Sequence, residues 1–197
     1  EDLGTASWQS GFAADALSDA GLRRAAFISV RLPAASSQRD LLAELDQSQT
    51  ALGIADVDLW TVEGWHPALP WTELVSALAI AVATGRARYV GMSPSAPWQA
   101  AIVGAGLAMH PDRSPLAAIT TPYSLLDQET AAEAAEVART IGAGLIAAWP
   151  LAGGVLTGKY RHATPPDSRG AGERHAERMH HYRSPWSRPV VDGLCAA

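Results

Sequence analysis

Cysteine is nearly absent from this chain. Cys195 stands alone among 197 residues, so no internal disulfide can form and packing has to hold the fold. A single thiol suits a reducing compartment, which makes a cytoplasmic location the expectation. Basic charge is scarce as well: 15 Lys and Arg stand against 20 Asp and Glu, for a net charge of −5. A broad nucleic-acid footprint needs clustered excess Lys and Arg, so no nucleic-acid partner is expected. Long apolar runs are missing too. None approaches the roughly 20 residues of a membrane-spanning helix, and the apolar segment Leu74–Thr84 reads as a buried helix. No secretory leader is visible. His175, His180 and His181 lie close in sequence, but no Cys or paired carboxylate frames them at zinc spacing, so no metal site is expected.

What the chain does have is alternation. Hydrophobic residues make up 48% of it, enough for a globular core. Strand-like apolar runs recur at Ala25–Arg31, Asp56–Val62, Ala87–Met92, Leu116–Thr120 and Gly144–Trp149, with a sixth candidate at Asp2–Ala6. Their centres fall about thirty residues apart, the length of one βαβ unit. Between them lie helix-like segments at Gln38–Leu52, Trp71–Thr84, Ala96–Met109 and Gln128–Ile141. In the second of these, Leu74, Leu78 and Val82 repeat every fourth residue and share one face. Gly53 and Gly85 sit where a left-handed C-cap is wanted, and Asp127 can cap the N-terminus of the last helix. Strand and helix alternating at one period mean a parallel sheet covered by helices, either a barrel or a doubly wound sheet.

The densest local signal is Gly142–Tyr160, where a short strand runs into a loop rich in glycine. Glycine lets backbone come close to a ligand, and N–H groups gathered there can cradle a pyrophosphate. On glycine count alone, an ordinary turn explains the same residues.

Four segments, in order, widen the picture: Ser48–Asp58, Gly85–Ser93 (Gly-Arg-Ala-Arg-Tyr-Val-Gly-Met-Ser), Tyr123–Glu129 (Tyr-Ser-Leu-Leu-Asp-Gln-Glu) and Pro150–Tyr160 (Pro-Leu-Ala-Gly-Gly-Val-Leu-Thr-Gly-Lys-Tyr). In these the chain resembles the aldo-keto reductases, in the branch that includes the potassium-channel β subunits. Coverage runs from about Ala25 to Arg169. The resemblance implies an α/β fold of the (β/α)8 TIM-barrel type that moves hydride between NADP(H) and small carbonyl compounds. Such a barrel needs roughly 250 residues. An incomplete barrel is therefore the expectation: a single domain over residues 1–197 with five to six βα units, the first and last barrel elements lying beyond it. An open sheet has unpaired edges, so oligomerisation stays open.

In that family a tyrosine protonates the carbonyl, its pKa lowered by a lysine that is itself paired with an aspartate, and a histidine orients the substrate. Carried over position by position, the resemblance puts Arg31 where the lysine stands and Glu63 where the histidine stands. The segment Asp2–Ser10 aligns with the aspartate and tyrosine. Gly4 and Gln9 fall in their places, and a slip of two residues brings in Asp2, but no tyrosine is near in any register. Trp65 follows the C-terminal end of a strand, the end that faces the active site in a parallel barrel; with Trp8 it is expected to line the substrate pocket. Two readings of Glu63 stand. Steroid double-bond reductases of the same family also carry glutamate there. A carboxylic acid kept protonated by apolar surroundings, here Val62 and Trp65, would polarise an enone. In the other reading Glu63 pairs with Arg31 as a structural ion pair, and the missing tyrosine favours it.

On the coenzyme side the resemblance keeps Ser93, puts Pro94 in place of an asparagine and Thr120 in place of a glutamine. Trp149 stands one residue past Ala148, the position of the aromatic that stacks on the nicotinamide. Leu151, Gly153, Gly154, Leu156 and Lys159 belong to the pyrophosphate loop, the best-kept part. The basic segment from Arg169 to Arg188 reads as a long loop, either a flap that meets phosphates through arginine forks or a solvated connection. Three functions remain open. One is an NADP(H)-dependent oxidoreductase acting on a carbonyl or enone small molecule with an altered catalytic set. The second is a non-redox enzyme, such as a dehydratase or cyclase, using the same pocket. The third is an inactive interaction module.

Overall fold

The structure, a computed structural model, describes residues 14–17, 20–93, 96–172 and 176–196. The expected strand at Asp2–Ala6 and the positions of Asp2, Gly4, Trp8, Gln9, Pro94, Arg174 and His175 lie outside those residues. Helix α1 (Ala20–Ala25) leads into strand β1 (Ser29–Pro33). Then follow α2 (Gln38–Leu52), β2 (Val57–Glu63), α3 (Trp71–Ala83), β3 (Ala87–Ser93), α4 (Pro97–Met109), β4 (Leu116–Pro122), α5 (Glu129–Ile141) and β5 (Gly144–Ala148). The five strands form one sheet in the order β1-β2-β3-β4-β5. The pairings of β1 with β2, β2 with β3 and β3 with β4 are parallel. A doubly wound sheet reverses its strand order at a switch point. This sheet steps steadily in one direction, as barrel sheets do, which decides the alternative that alternation alone had left open.

Helices α2 to α5 stand where the helix-like segments were expected. Ser37 caps α2: its Oγ accepts from the Asp40 N–H at 3.2 Å and donates to the Asp40 carboxylate at 2.7 Å. Gly53 ends the same helix with φ 66°. The first strand departs from the sequence reading, because Ala25 and Phe27 do not belong to it. The Ala26 N–H donates to the Leu22 carbonyl, which prolongs the helical turn, and pairing starts only at Ile28, whose carbonyl accepts from Asp58 and Leu59.

The chain divides into two compact units, Glu1–Thr120 with Glu136–Leu145, and Thr121–Ala135 with Ile146–Ala197. In the first, alternate strand residues join the helices in one apolar cluster. Val30 and Leu32, Trp60 and Val62, and Val90 and Met92 pack there with Leu41, Leu45, Leu74, Leu78, Val103 and Leu107. Because strand side chains alternate, Arg31, Thr61, Glu63 and Ser93 fall on the opposite face.

The second unit contains a 3-10 turn (Ala152–Thr157), helix α6 (Ala176–Tyr182) and helix α7 (Arg188–Ala196). Its core is Leu126, Ala152, Val155, Leu156, Met179, Tyr182 and Val191. The basic segment read as a loop is therefore partly helical and partly core. Met179 and Tyr182 share one face of α6 three residues apart, and the intervening histidines masked that signal. The Tyr182 hydroxyl donates to Asp127 Oδ2 at 3.0 Å. Burial, the bond to Asp127 and the charge of Asp127 push the phenol up to about 12. Among the described residues no helix is long and apolar enough to cross a membrane.

Candidate functional site

Parallel register assembles one polar rim in the first unit. Pro33 stands opposite Glu63, and Glu63 opposite Ser93. One step past the last registered pair of β3 and β4, Met92 with Ile119, come Ser93 and Thr120. Glu63 and Ser93 thus end their strands, with Arg31 and Thr120 each two residues inside the ends of β1 and β4. The Arg31 Nε lies 3.7 Å from Glu63 Oε2, and the two side chains are 49% and 56% exposed. Val62 does not enclose Glu63. It is fully buried in the apolar cluster, and successive strand residues point to opposite faces. Trp65 packs against that cluster as well, donating its Nε1–H to the Leu69 carbonyl at 3.2 Å. Its ring leans on Trp98 with centroids 5.8 Å apart, and Trp98 remains 57% exposed. Trp98 carried no sequence signal, since an indole in the first turn of an apolar helix reads as packing.

The second unit carries the glycine loop. Backbone in the left-handed region is bunched here: Trp149 at φ 58°, Ala152 at 48°, Gly153 at 67° and Gly154 at 95°. For Trp149 and Ala152 this conformation costs of order 1–3 kcal/mol each, and such strain gathers at ligand-binding turns. A Cβ on Gly154 would lie 2.8 Å from Lys159 Cε, and one on Gly153 would run into Met179 Sδ. At these positive φ values a side chain is strained whatever the space, and the turn sets bare backbone beside the amine of Lys159, the one lysine in the chain. Leu151 is exposed at the tip, whereas Leu156 is buried in the core. The Lys159 ammonium lies 5.2 Å from the centroid of the Tyr160 ring.

Tyr160 ties this loop together. Its hydroxyl donates to the Gly153 carbonyl at 3.4 Å and accepts from the Gly170 N–H at 3.1 Å. Burial works to raise its phenol, but bonds from Ser168 and Gly170 together with the Lys159 ammonium bring it below its ordinary value. The Arg178 guanidinium stands 5.0 Å over the ring of Trp149, a cation–π contact that holds the indole in place. Sequence reasoning missed both residues as parts of the site. Tyr160 sits next to Lys159 in the motif, but its partner Gly170 is ten residues on. Arg178 belonged to a segment read as loop.

A sequentially ordered parallel α/β sheet with polar strand ends is the layout of barrel-type proteins, the class whose ligand sites gather at the C-terminal ends of the strands. Residues 11–192 match the Aldo/keto reductase family, and the chain belongs to that family. It is 37% identical over 134 residues to L-glyceraldehyde 3-phosphate reductase of Escherichia coli (strain K12), an alignment covering 68% of this chain and 38% of that protein. It is 32% identical over 116 residues to the uncharacterized oxidoreductase YrpG of Bacillus subtilis (strain 168), covering 58% of this chain and 35% of that one. An aldo-keto reductase from Bacillus halodurans in its holo form superposes with a TM-score of 0.63 at 21% identity, over 80% of this chain and 50% of that chain. That is a likeness of fold. The chain spans well under half the length of the curated relatives it matches.

Proposed function

We propose that this chain carries the coenzyme loop and part of the catalytic rim of an NADP(H)-dependent oxidoreductase acting on a carbonyl or enone group of a small molecule. The observation that carries this reading is the Gly153–Gly154 turn beside Lys159. Backbone without Cβ, held at positive φ next to a cation, is the local chemistry a pyrophosphate requires. When bound, the dinucleotide supplies or accepts the hydride. Leu151, Gly153, Gly154 and Leu156 shape the loop, and Lys159 supplies its charge. Ser93 and Thr120 offer hydroxyls to the nicotinamide amide, and Trp149 offers an aromatic face.

Arg31 and Glu63 take the positions of the family's lysine and histidine. A half-exposed Glu63 beside a guanidinium serves to aim that guanidinium. The Arg31 N–H groups are then the donors toward a substrate oxygen as negative charge develops on it. With no tyrosine at the matching positions, the proton that completes a reduction comes from water. Trp65 supports the substrate side, and Asp2 and Trp8 are assigned by family resemblance alone. The E. coli relative makes short phosphorylated aldehydes the first substrates to try. The exposed thiol of Cys195 supports a reducing, cytoplasmic location.

The 3.7 Å Arg31–Glu63 contact favours a second reading, in which the pair is structural and the chain is a non-redox or inactive member of the family. Titrating NADPH against tryptophan fluorescence, then assaying its oxidation with aldehydes and enones, separates the two. The oxidoreductase reading expects saturable binding and turnover, with Glu63→Gln lowering turnover about tenfold, a loss of about 1.4 kcal/mol in transition-state binding. No binding at millimolar NADPH removes it, and binding without turnover leaves the second reading.

A further inference from the structure

The second unit contains a cavity that the proposed function leaves unused. Its volume is about 270 Å³, and Arg161, Arg183 and Arg188 line it together with Tyr160, Ser184 and Ser187. Among the described residues, no carboxylate belongs to that lining. Guanidinium groups stay charged at any working pH, so three around one small space repel each other unless an anion offsets them.

The surroundings offset them only in part. Arg161 Nη2 meets Asp192 Oδ1 at 2.9 Å. Arg183 has neutral partners: its Nη2 donates to Thr164 Oγ1 at 2.6 Å, and its guanidinium carbon stands 5.2 Å from the Tyr160 ring centroid. Those contacts fix the direction of the fork and leave its charge standing. Arg188 opens α7, a helix of nine residues, so the positive end of the helix dipole adds to the same field. The Lys159 ammonium lies on the ring of Tyr160 as well. Planar forks held this way match the paired oxygens of a phosphate better than a single point charge does.

We propose that this cavity is a phosphomonoester site, in which Arg183 and Arg188 take the phosphate oxygens and Arg161 completes the cationic wall. Tyr160 lines this cavity and, with Lys159 on its ring, borders the glycine loop as well. Arg183 and Arg188 have no part in the proposed function, so loss of phosphate binding in their variants is distinguishable from failure of that reading. A phosphomonoester can arrive from two sources, the adenosine 2′-phosphate of NADP(H) or a separate phosphorylated small molecule.

The test is calorimetric titration of the 197-residue chain with inorganic phosphate at low ionic strength, repeated with Arg183→Gln and Arg188→Gln. Both side chains are exposed, and circular dichroism checks that the variants fold. Each substitution is expected to weaken phosphate binding about tenfold, the loss of one charge-assisted fork. On the unaltered chain, phosphate is expected to raise the melting temperature above that in chloride of equal ionic strength. Displacement of phosphate by NADPH but not NADH assigns the group to the coenzyme. Displacement by neither assigns it to a separate phosphorylated ligand. Equal phosphate affinity in the chain and both variants, or no difference between phosphate and chloride, overturns the proposal.

Discussion

Glu63 and Arg31 meet with about half of each side chain in water, and a contact this exposed contributes at most about 1 kcal/mol. Urea unfolding of Glu63→Gln is therefore expected to stay within about 0.5 kcal/mol of the parent. Tyr182 is the opposite case, 2% exposed and bonded to Asp127. Its folded-state pKa of about 12 lies above the ordinary 10.0. The stabilisation it contributes is therefore complete below about pH 10, and it is lost as pH rises through about 12. Tyr182→Phe is expected to lower stability at neutral pH by about 1 kcal/mol. It should also flatten the decline between about pH 10 and pH 12, as read from urea melts across that range. The first pair was legible through the family resemblance, which puts Arg31 and Glu63 near the ends of neighbouring strands. The second was not. Its partners stand 55 residues apart, and nothing local to either one points to the other.

Among the elements, the regular ones were readable and the compact irregular ones were not. Helices α2 to α5 announce themselves as helix-like segments between strands, α3 by its apolar spacing, and Gly53 and Gly85 mark two of their ends. Gly53 ends α2 in the left-handed region with open space around it, so Gly53→Ala is expected to cost about 1 kcal/mol through backbone strain alone. A thermal melt reads that cost. Gly154, at φ 95°, lies further into the region closed to β-branched residues, and a side chain there would also displace Lys159. Gly154→Val is expected to lower stability by more than Gly53→Ala does, and to remove NADPH binding measured by fluorescence. Helix α6 was hidden because its buried Met179 and Tyr182 are embedded among basic and histidine residues. The start of β1 was misplaced because Ala25–Phe27 is apolar and fits a strand equally well. Hydrogen bonding from Ala26 back to Leu22 decides the matter in favour of the helix.

At the scale of the molecule, strand order carries the class. Alternation in the sequence allowed two architectures, and the sequential order β1 to β5 together with the family match over residues 11–192 selects the barrel type. The glycine loop proposed for the coenzyme combines the resembling motif with backbone at positive φ. On the proposed assignment, Arg31 and Glu63 bring different chemistry to the rim. The account therefore rests most heavily on the loop, and Lys159 gives direct access to it. As the chain's one lysine, it is the single side-chain target of an amine-reactive label, and mass spectrometry distinguishes its peptide from the labelled N-terminus. Labelling rates at Lys159 should be measured with and without saturating NADPH. A fall of several-fold in the presence of NADPH, with the N-terminal rate unchanged, is the predicted result. An unchanged rate at millimolar NADPH contradicts the account.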